Sequence, residues 1–278
     1  VAYNNGVIWT ATWHNEDNHG SIVPLGTGLR YSVDNGNTWV KVEQSIDDPA
    51  DSSIVYGINT LRALPVTVPH QNFIYDMAFT GNTIWVATFA GGLRKSSDMG
   101  QTWERVVLPP DYLDSIKPSD TLNFSLQPVA GSFGKESYLN HRVFSILSTD
   151  ENTLYVGTAG GINKSTDGGI SWVKFNHTNQ TNSISGNHIL KLVHNRIDNS
   201  IWAATWKAEG ELEFWAVSYS YDGGENWNIT LPSTRTMELP LHKMDYIVQI
   251  IMVKHGLMLP KYLMMPQKFQ LILVTLEQ

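Results

Sequence analysis

The segment Gly92-Leu93-Arg94-Lys95-Ser96-Ser97-Asp98-Met99-Gly100-Gln101-Thr102-Trp103 decides the fold of this chain. It joins a short strand-like stretch to the turn formers Asp98 and Gly100, and an aromatic residue follows closely. An Asp side chain bonds the backbone ahead of it and Gly supplies a positive φ, so the segment predicts a tight hairpin. Its Ser and Thr hydroxyls can close the turn locally, and its Trp is expected to anchor the turn against a sheet.

The same pattern occurs four times along the chain. Two further copies begin at Gly28 and Gly161, and a looser copy begins at Ser220. The shared pattern is Ser-x-Asp-x-Gly-x-Thr-Trp, and these residues are predicted to have structural roles: Ser32, Asp34, Gly36, Thr38, Trp39, Ser96, Asp98, Gly100, Thr102, Trp103, Ser165, Asp167, Gly169, Ser171, Trp172, Ser220, Asp222, Gly224 and Trp227. Recurrence of one unit indicates a repeat architecture.

Other strand-like segments accompany each hairpin. A β-branched and aromatic stretch precedes every copy, at residues 7–13, 83–89, 153–158 and 200–206. Such composition is typical of a tightly packed strand. Three of these stretches have another strand before them, and a further strand follows each hairpin. The predicted fold is therefore all-β, a β-propeller or a piece of one, built from four-stranded antiparallel blades.

The repeated pattern resembles the Asp-box, or bacterial neuraminidase repeat. This repeat is found in sialidases, sortilin-type receptors, xyloglucan-degrading glycosidases and photosystem assembly factors. The segment 182–189, with the strand that follows it, also resembles the propeller repeats of bacterial two-component sensor proteins. The resemblance implies a β-propeller fold, turns that stabilise structure, and an extracytoplasmic or secreted location.

The chain divides into two parts by composition. Residues 1–232 are interpreted as about four propeller blades, the first of them incomplete because the chain begins at a second strand. Residues 233–278 contain six of the eight Met and no Trp. This tail is open to three interpretations: an amphipathic helix, an added strand or a frameshifted fifth repeat. Reading the codons of residues 250–257 one nucleotide earlier permits Asn-Asn-Gly-Lys-Thr-Trp, so the frameshift interpretation predicts no native fifth blade.

Composition excludes several functions. The net charge of −7 argues against a nucleic-acid partner, which requires a basic surface. The absence of Cys excludes a disulfide framework and a Cys-ligated metal. No uncharged apolar stretch reaches the roughly 18 residues that a membrane span needs. No cofactor is expected.

The candidate binding residues lie opposite the Asp-containing hairpins. In a four-stranded meander the connections alternate between two faces, and the long insertions (14–27, 43–71, 109–140, 176–188 and 207–214) all share the face without those hairpins. Loops on a rigid scaffold concentrate binding residues. The candidates are Trp13, His14, Glu16, Asp17, His19, Trp206 and Glu209 in the loops, with His141 and Arg142 at an inner strand that lines the channel.

These residue types suit a glycan or a protein ligand. Trp faces can stack on sugars while carboxylates bond sugar hydroxyls. The acidic and His residues between positions 14 and 19 lack a known ligand spacing, so no metal site is assigned.

Three function classes are consistent with the sequence. The first is a non-catalytic, extracytoplasmic binding or sensor module, because the repeats come without a recognisable catalytic set. The alternative is a glycoside hydrolase, sialidase-like or xyloglucanase-like, with paired carboxylates drawn from Glu16, Asp17, Asp76 or Glu209. A sialidase also needs an arginine cluster, but the Arg-Ile-Pro motif is absent, and Arg30, Arg94 and Arg105 lie in or beside the hairpins. The third class is an assembly factor or receptor module that binds protein. No catalytic residue is assigned.

Overall fold

The computed structural model describes residues 1–70, 72–88, 90–126, 136–208 and 210–230 of the 278-residue chain. Within these ranges the chain is nearly all β, with one short 3-10 helix. The tail assigned to residues 233–278 lies outside the described residues, as does Glu209. The interpretations of the tail therefore stay predictions.

Four sheets follow one another along the chain. The first contains β1 (Ala2–Asn4), β2 (Val7–Asn18), β3 (Ser21–Ser32) and β4 (Val40–Val42). A separate hairpin follows, β5 (Ser53–Tyr56) and β6 (Asn59–Arg62). The second sheet contains β7 (Ile74–Thr80), β8 (Thr83–Thr88), β9 (Gly92–Ser96) and β10 (Glu104–Arg105). Next come β11 (Ser115–Ile116) and the 3-10 helix (Glu136–His141). The third sheet contains β12 (Val143–Ser148), β13 (Leu154–Thr158), β14 (Gly161–Ser165) and β15 (Trp172–Phe175), and the fourth contains β16 (His188–Asn195), β17 (Ser200–Trp206), β18 (Ala216–Ser220) and β19 (Asn228–Thr230).

Two sheets differ from the expected strand count. The first sheet has four strands where the sequence predicted a missing one, because Ala2–Asn4 pairs with Val7–Trp9. This first strand has three residues, against seven, six and eight in β7, β12 and β16. The third sheet gains a fifth strand, because β11 from the insertion after β10 pairs with β15.

The core lies between neighbouring sheets. Side chains alternate across a strand, so an inner strand with a sheet on either side packs against both. In β8, Ile84 and Val86 belong to the cluster shared with the first sheet, whereas Trp85 and Ala87 belong to the cluster shared with the third sheet. All four are at most 1% exposed. Burial on both faces explains why this strand is continuously apolar.

The hairpin turns of later sheets rest on the preceding sheet. Gly169 lies so close to the Trp85 ring of the second sheet that a side chain there would collide with it. Gly36 in the first sheet has only the ring of Trp39 within reach, at 3.7 Å. The Trp that follows each turn is likewise buried in a later sheet and exposed in the first sheet, since Trp172 is 1% exposed and Trp39 is 43% exposed. The expectation that Trp39 is anchored against a sheet is therefore wrong, because no described sheet lies beyond it.

A buried ion pair attaches the insertion after β4 to the second sheet. Arg94 on β9 donates to both carboxylate oxygens of Asp47, at 2.7 and 2.9 Å. Arg94 is 1% exposed, and the Val66 N–H also donates to Asp47, at 2.7 Å. Arg105 donates to the Asp51 and Ser53 carbonyls of the same insertion. Two of the arginines near the hairpins thus hold the insertion in place.

Candidate functional site

Residues 14–27, predicted as a loop, form a β-ribbon. Strands β2 and β3 pair from Ile8–Ser32 out to Asn18–Ser21, so the prediction of a loop is wrong. His19 and Gly20 form a two-residue turn with positive φ values of 53° and 85°, as the favoured hairpin turns require. The Gly20 N–H donates to Asp17 Oδ1 at 2.7 Å, which closes the turn. Residues 13–26 are termed the ribbon.

The ribbon separates the predicted candidates onto two faces. Residues that pair in an antiparallel sheet share a face, so Trp13 and Asp17 lie on one side with their partners Gly26 and Ile22. His14 and Glu16 lie on the other side. His19 lies at the exposed tip. All five candidates are exposed, and Glu16 lies 3.7 Å from the His70 ring nitrogen.

Trp13 begins a continuous series of ring contacts that crosses the molecule. The series, termed here the aromatic band, consists of Trp13, Phe73, Tyr75, Phe144, His188, Trp206 and Trp215. Successive ring centroids are 5.3, 4.4, 5.1, 4.6, 6.2 and 5.9 Å apart. All four sheets or their flanking segments contribute a ring. The band therefore joins two predicted candidates, Trp13 and Trp206, that are far apart in the sequence.

Two β-bulges determine the direction of two of these rings. The pairing register shifts between Ile74 and Asp76, and again between Val143 and Ser145. Tyr75 and Phe144 are the residues inside these shifts. A bulge leaves its extra residue unpaired and redirects the side chain, which lets rings from adjacent first strands meet. Within the band, Trp13 and Tyr75 are the most exposed rings, at 42% each.

The electrostatics of the band are set by Arg142 and a neutral His188. Burial lowers the pKa of His188 to about 4, with the Arg142 charge acting in the same direction and Glu213 opposing it. His188 is therefore uncharged near neutral pH, and Arg142 is a neighbouring cation. Arg142 was a predicted candidate; it directly precedes β12, which lies between β7 and β16.

His141, the other inner-strand candidate, lies apart from the band. It packs against Gly92, where a Cβ would lie 2.5 Å from the imidazole Cε1, and its Nε2 is 3.3 Å from the Ala90 carbonyl. Burial lowers its pKa to about 4. His141 also lines a cavity of about 20 Å³ beside Asp111, which is room for about one water molecule. Its contacts are those of a packed, neutral histidine.

The described candidate carboxylates all have partners within the protein. Asp76 accepts hydrogen bonds from Lys191 Nζ at 2.7 Å and from Ser145 Oγ at 2.8 Å. Asp17 accepts the Gly20 N–H, and Glu16 lies beside His70. Glu213, which sequence reasoning missed, is 6% exposed and accepts three backbone N–H groups, from Asn187, Ala208 and Gly210. Each of these carboxylates thus has a structural contact.

The four hairpin turns share one hydrogen-bond pattern on the opposite face. In each, the Ser Oγ donates to the Asp Oδ1 at 2.7–2.8 Å and accepts the Gly N–H at 2.8–2.9 Å. The residue four positions after the Asp donates both its N–H and its side chain to the carboxylate. Hydrogen bonds from Thr102, and then from Ser96, hold the pKa of Asp98 down at about 2.

We predict that Asp98→Ala lowers the melting temperature, because the hydroxyls of Ser96 and Thr102 lose their shared acceptor. Asp98→Asn retains one acceptor oxygen, so its melting temperature should fall less than that of Asp98→Ala. The pKa of Asp98 is depressed on folding, so its contribution is present above the ordinary value of 3.8 and fades as the pH falls towards 2. Thermal melts of the wild type and Asp98→Ala check this, because the difference between their melting temperatures should be smaller at pH 2 than at pH 7. A wild-type melt combined with loss of ligand binding would contradict a structural role.

Sequence reasoning missed five members of the band. Phe73, Tyr75, Phe144, His188 and Trp215 all fall in or beside segments that were predicted as strands or loops. Phe73 and Tyr75 are two residues apart, and this spacing could have predicted that their rings share a face. The bulges at Tyr75 and Phe144 have no comparable pattern in the sequence, so the contact between these two rings could not be predicted.

Two kinds of feature are absent from the described part of the chain. No group of three or more His, Cys, Asp or Glu side chains there could hold a metal ion. No helix in that part is long and apolar enough to cross a membrane.

Comparison with known proteins finds similar solved structures but no family. No family model and no curated protein matches the chain. Among solved structures it is similar to YCF48 from Cyanidioschyzon merolae, at 17% identity over 77% of this chain and 53% of that chain, with a TM-score of 0.44. It is also similar to the GH74 xyloglucanase from Xanthomonas campestris, at 16% identity over 76% and 28% of the two chains, with a TM-score of 0.43. A third similar structure is the extracellular domain of BT4673 from B. thetaiotaomicron, at 14% identity over 79% and 27%, with a TM-score of 0.36.

The chain spans about half the length of YCF48 and less of the other two proteins. Identities this low concern the fold alone. The four large described sheets are consecutive four-stranded antiparallel meanders with shared cores, the third extended by β11, and they do not close into a ring. This all-β chain has the architecture of β-propeller blades.

Proposed function

We propose that the protein is a non-catalytic binding module that holds a glycan on the aromatic band. The observation that carries the proposal is the unbroken contact of seven rings, with Trp13 and Tyr75 each 42% exposed. In this proposal the four hairpin turns are Asp-boxes that stiffen the scaffold, and the module works in an extracytoplasmic location.

The chemistry of the band suits a sugar chain. An aromatic face is an extended apolar surface on which the C–H face of a sugar ring can stack, while nearby polar groups bond its hydroxyls. Asn15 and Asp17 lie on the Trp13 face of the ribbon, and Arg142 lies near His188. Because separate sheets support the rings, the platform is formed before the ligand arrives, which reduces the entropy cost of binding.

Glycoside hydrolysis has less support from the described residues. It requires two carboxylates that are free to act on the substrate. Asp76 is paired with Lys191, Asp17 closes the ribbon turn, and Glu16 lies beside His70. These contacts favour binding over catalysis as the proposal.

We predict that Trp13→Ala and Tyr75→Ala each weaken glycan binding by about tenfold or more, because each removes an exposed stacking face. Binding would first be located on an array of neutral and acidic glycans, then measured by titration calorimetry. Trp39→Ala is the matched control, because Trp39 is 43% exposed and lies in a hairpin turn on the opposite face.

Three results would overturn the proposal. One is the absence of glycan binding on the array. Another is an equal loss of affinity in Trp39→Ala. Release of reducing sugar from a bound glycan would refute the non-catalytic part.

A further inference from the structure

A cleft of about 280 Å³ opens between the turns of the second and third sheets, on the face opposite the aromatic band. Its lining, termed the turn cleft, includes Trp85, Lys95, Glu104, Glu151 and Gly168, together with three Ser and Thr side chains. Pockets for drug-sized ligands have volumes of roughly 300–1,000 Å³. The turn cleft therefore has room for one small ligand or for a single side chain.

The equivalent position between the third and fourth sheets is closed by a lysine. The Gly223 carbonyl, in the turn of the fourth sheet, accepts hydrogen bonds from Lys164 Nζ at 2.8 Å and from the Tyr155 hydroxyl at 3.1 Å. Lys164 Nζ also lies 5.6 Å from the centroid of the Tyr155 ring. This turn thus shows an ammonium group bound between a backbone carbonyl and an aromatic ring.

The equivalent turn residue of the third sheet faces open space. Gly168 corresponds to Gly223, directly after the Asp of the repeated pattern, and a Cβ at Gly168 would meet no other described segment within 4 Å. Trp85 and Lys95 are cross-strand partners, like the ring and the Lys of the next sheet, and Lys95 Nζ lies 5.8 Å from the Trp85 ring centroid. Trp85 donates its indole N–H to Thr80 at 2.7 Å. The indole N–H is therefore directed to its own sheet and not to the turn.

One cross-strand residue explains the difference between the two turns. Glu104 on β10 pairs with Lys95, and its carboxylate lies 3.3 Å from Lys95 Nζ. The residue that pairs with Lys164 is Val173, which has no charge. Glu104 therefore holds the Lys95 ammonium on its own sheet, whereas Lys164 reaches the next turn. The Gly168 carbonyl is left without the lysine that its counterpart binds.

We infer that the turn cleft binds a primary ammonium group from outside the chain, in the way that the next turn binds Lys164. Charge selects this ligand, because Glu104 balances the charge of Lys95 and the exposed Glu151 adds a further negative charge. An ammonium group has three N–H donors, and its hydrogen bonds to a carboxylate are charge-assisted. The Gly168 carbonyl and the Glu151 carboxylate would accept two of them. The site goes beyond the proposed glycan binding, since none of its residues belongs to the aromatic band.

The test titrates the full chain with butylammonium at constant ionic strength and follows its backbone amides by NMR. Saturable shifts should appear at the amides of Ser97, Glu151 and Gly168, which line the cleft. Trimethylbutylammonium has the same charge but no N–H, so it should bind at least about tenfold more weakly. The peptide acetyl-Gly-Lys-Gly-amide distinguishes two sources of the ammonium group. Tighter binding than butylammonium assigns it to a Lys side chain of a protein partner, and weaker binding assigns it to a free amine.

Glu104→Val copies the residue that faces Lys164 in the third sheet. It should release Lys95 to donate to the Gly168 carbonyl, so the chain's own lysine would fill the cleft and butylammonium should bind at least about tenfold more weakly. Adding Lys95→Met should restore binding, because Met cannot donate to the carbonyl. Glu43→Val is the matched control, since it also removes one carboxylate from an exposed ion pair. Its affinity for butylammonium should equal that of the wild type.

Four outcomes would refute the ammonium site. They are the absence of saturable shifts at the three amides, equal binding of trimethylbutylammonium, unchanged binding in Glu104→Val, and no recovery when Lys95→Met is added. The first two do not depend on any variant folding. Glycan binding should be unaffected in all these variants, because the cleft lies on the face opposite the aromatic band. The ammonium site and the proposed function can therefore fail separately.

Discussion

Replacing Asp47 with Ala should lower the free energy of unfolding by about 3–5 kcal/mol, the usual cost of breaking a buried ion pair. The variant leaves the Arg94 guanidinium, which is 1% exposed, without its carboxylate partner. It also removes the acceptor of the Val66 N–H and so weakens the attachment of the insertion after β4. Urea denaturation measures the loss.

The matched control is Glu43→Ala. Glu43 pairs with Lys41 at 2.8 Å, but the two side chains are 81% and 50% exposed. Exposed pairs contribute roughly 0–1 kcal/mol, so this variant should unfold at nearly the wild-type urea concentration. The double variant Asp47→Leu with Arg94→Met should recover much of the stability lost in Asp47→Ala, because it leaves no unpaired charge. Equal stability of Asp47→Ala and Glu43→Ala would contradict the role assigned to the pair.

The pH dependence of the Asp47 effect has a defined sign. Burial alone would raise the pKa of Asp47, but the hydrogen bonds and charge of Arg94 hold it below the ordinary value of 3.8. A depressed pKa means that the contribution is complete above about pH 4 and is lost as the pH falls through the folded-state pKa. The stability difference between the wild type and Asp47→Ala should therefore narrow below about pH 4. Urea midpoints at pH 7 and pH 3 test this.

Trp172→Ala should cost about 3–5 kcal/mol, whereas Trp39→Ala should cost less than about 1 kcal/mol. Both residues close the same repeated pattern, but Trp172 is 1% exposed in the core between the second and third sheets and Trp39 is 43% exposed. Removing the buried indole leaves a cavity, and removing the exposed one does not. The two variants are compared by urea denaturation, with circular dichroism to verify the fold. Similar losses at the two positions would show that the local turn, and not the neighbouring sheet, determines the role of the Trp.

Much of the architecture could be predicted because its causes are local. The Ser, Asp and Gly of each repeat bond one another within five residues, so the sequence pattern and the turn geometry correspond directly. The strand that precedes each hairpin is apolar on both faces, which indicated a buried inner strand. The all-β propeller fold predicted from these features is confirmed.

The ribbon shows a readable signal that was missed. Its turn residues, His19 and Gly20, both adopt positive φ, and an Asn-His-Gly sequence is compatible with that geometry. The polar side chains from His14 to Asn18 favoured a loop instead. They are tolerated in a strand because both faces of the ribbon are exposed, so no alternation of polar and apolar residues is required.

The sequence alone determined the repeat, the hairpin turns and the fold class, since each depends on contacts between residues close along the chain. Tertiary structure decided which equivalent residues are buried, as Trp39 and Trp172 demonstrate. It also decided the aromatic band, because Trp13 and Trp206 are connected only through rings that bulges in separate sheets bring together. The physical reason is that burial and ring contact depend on the neighbouring sheet, whose residues lie tens of positions away and leave no trace in the local pattern.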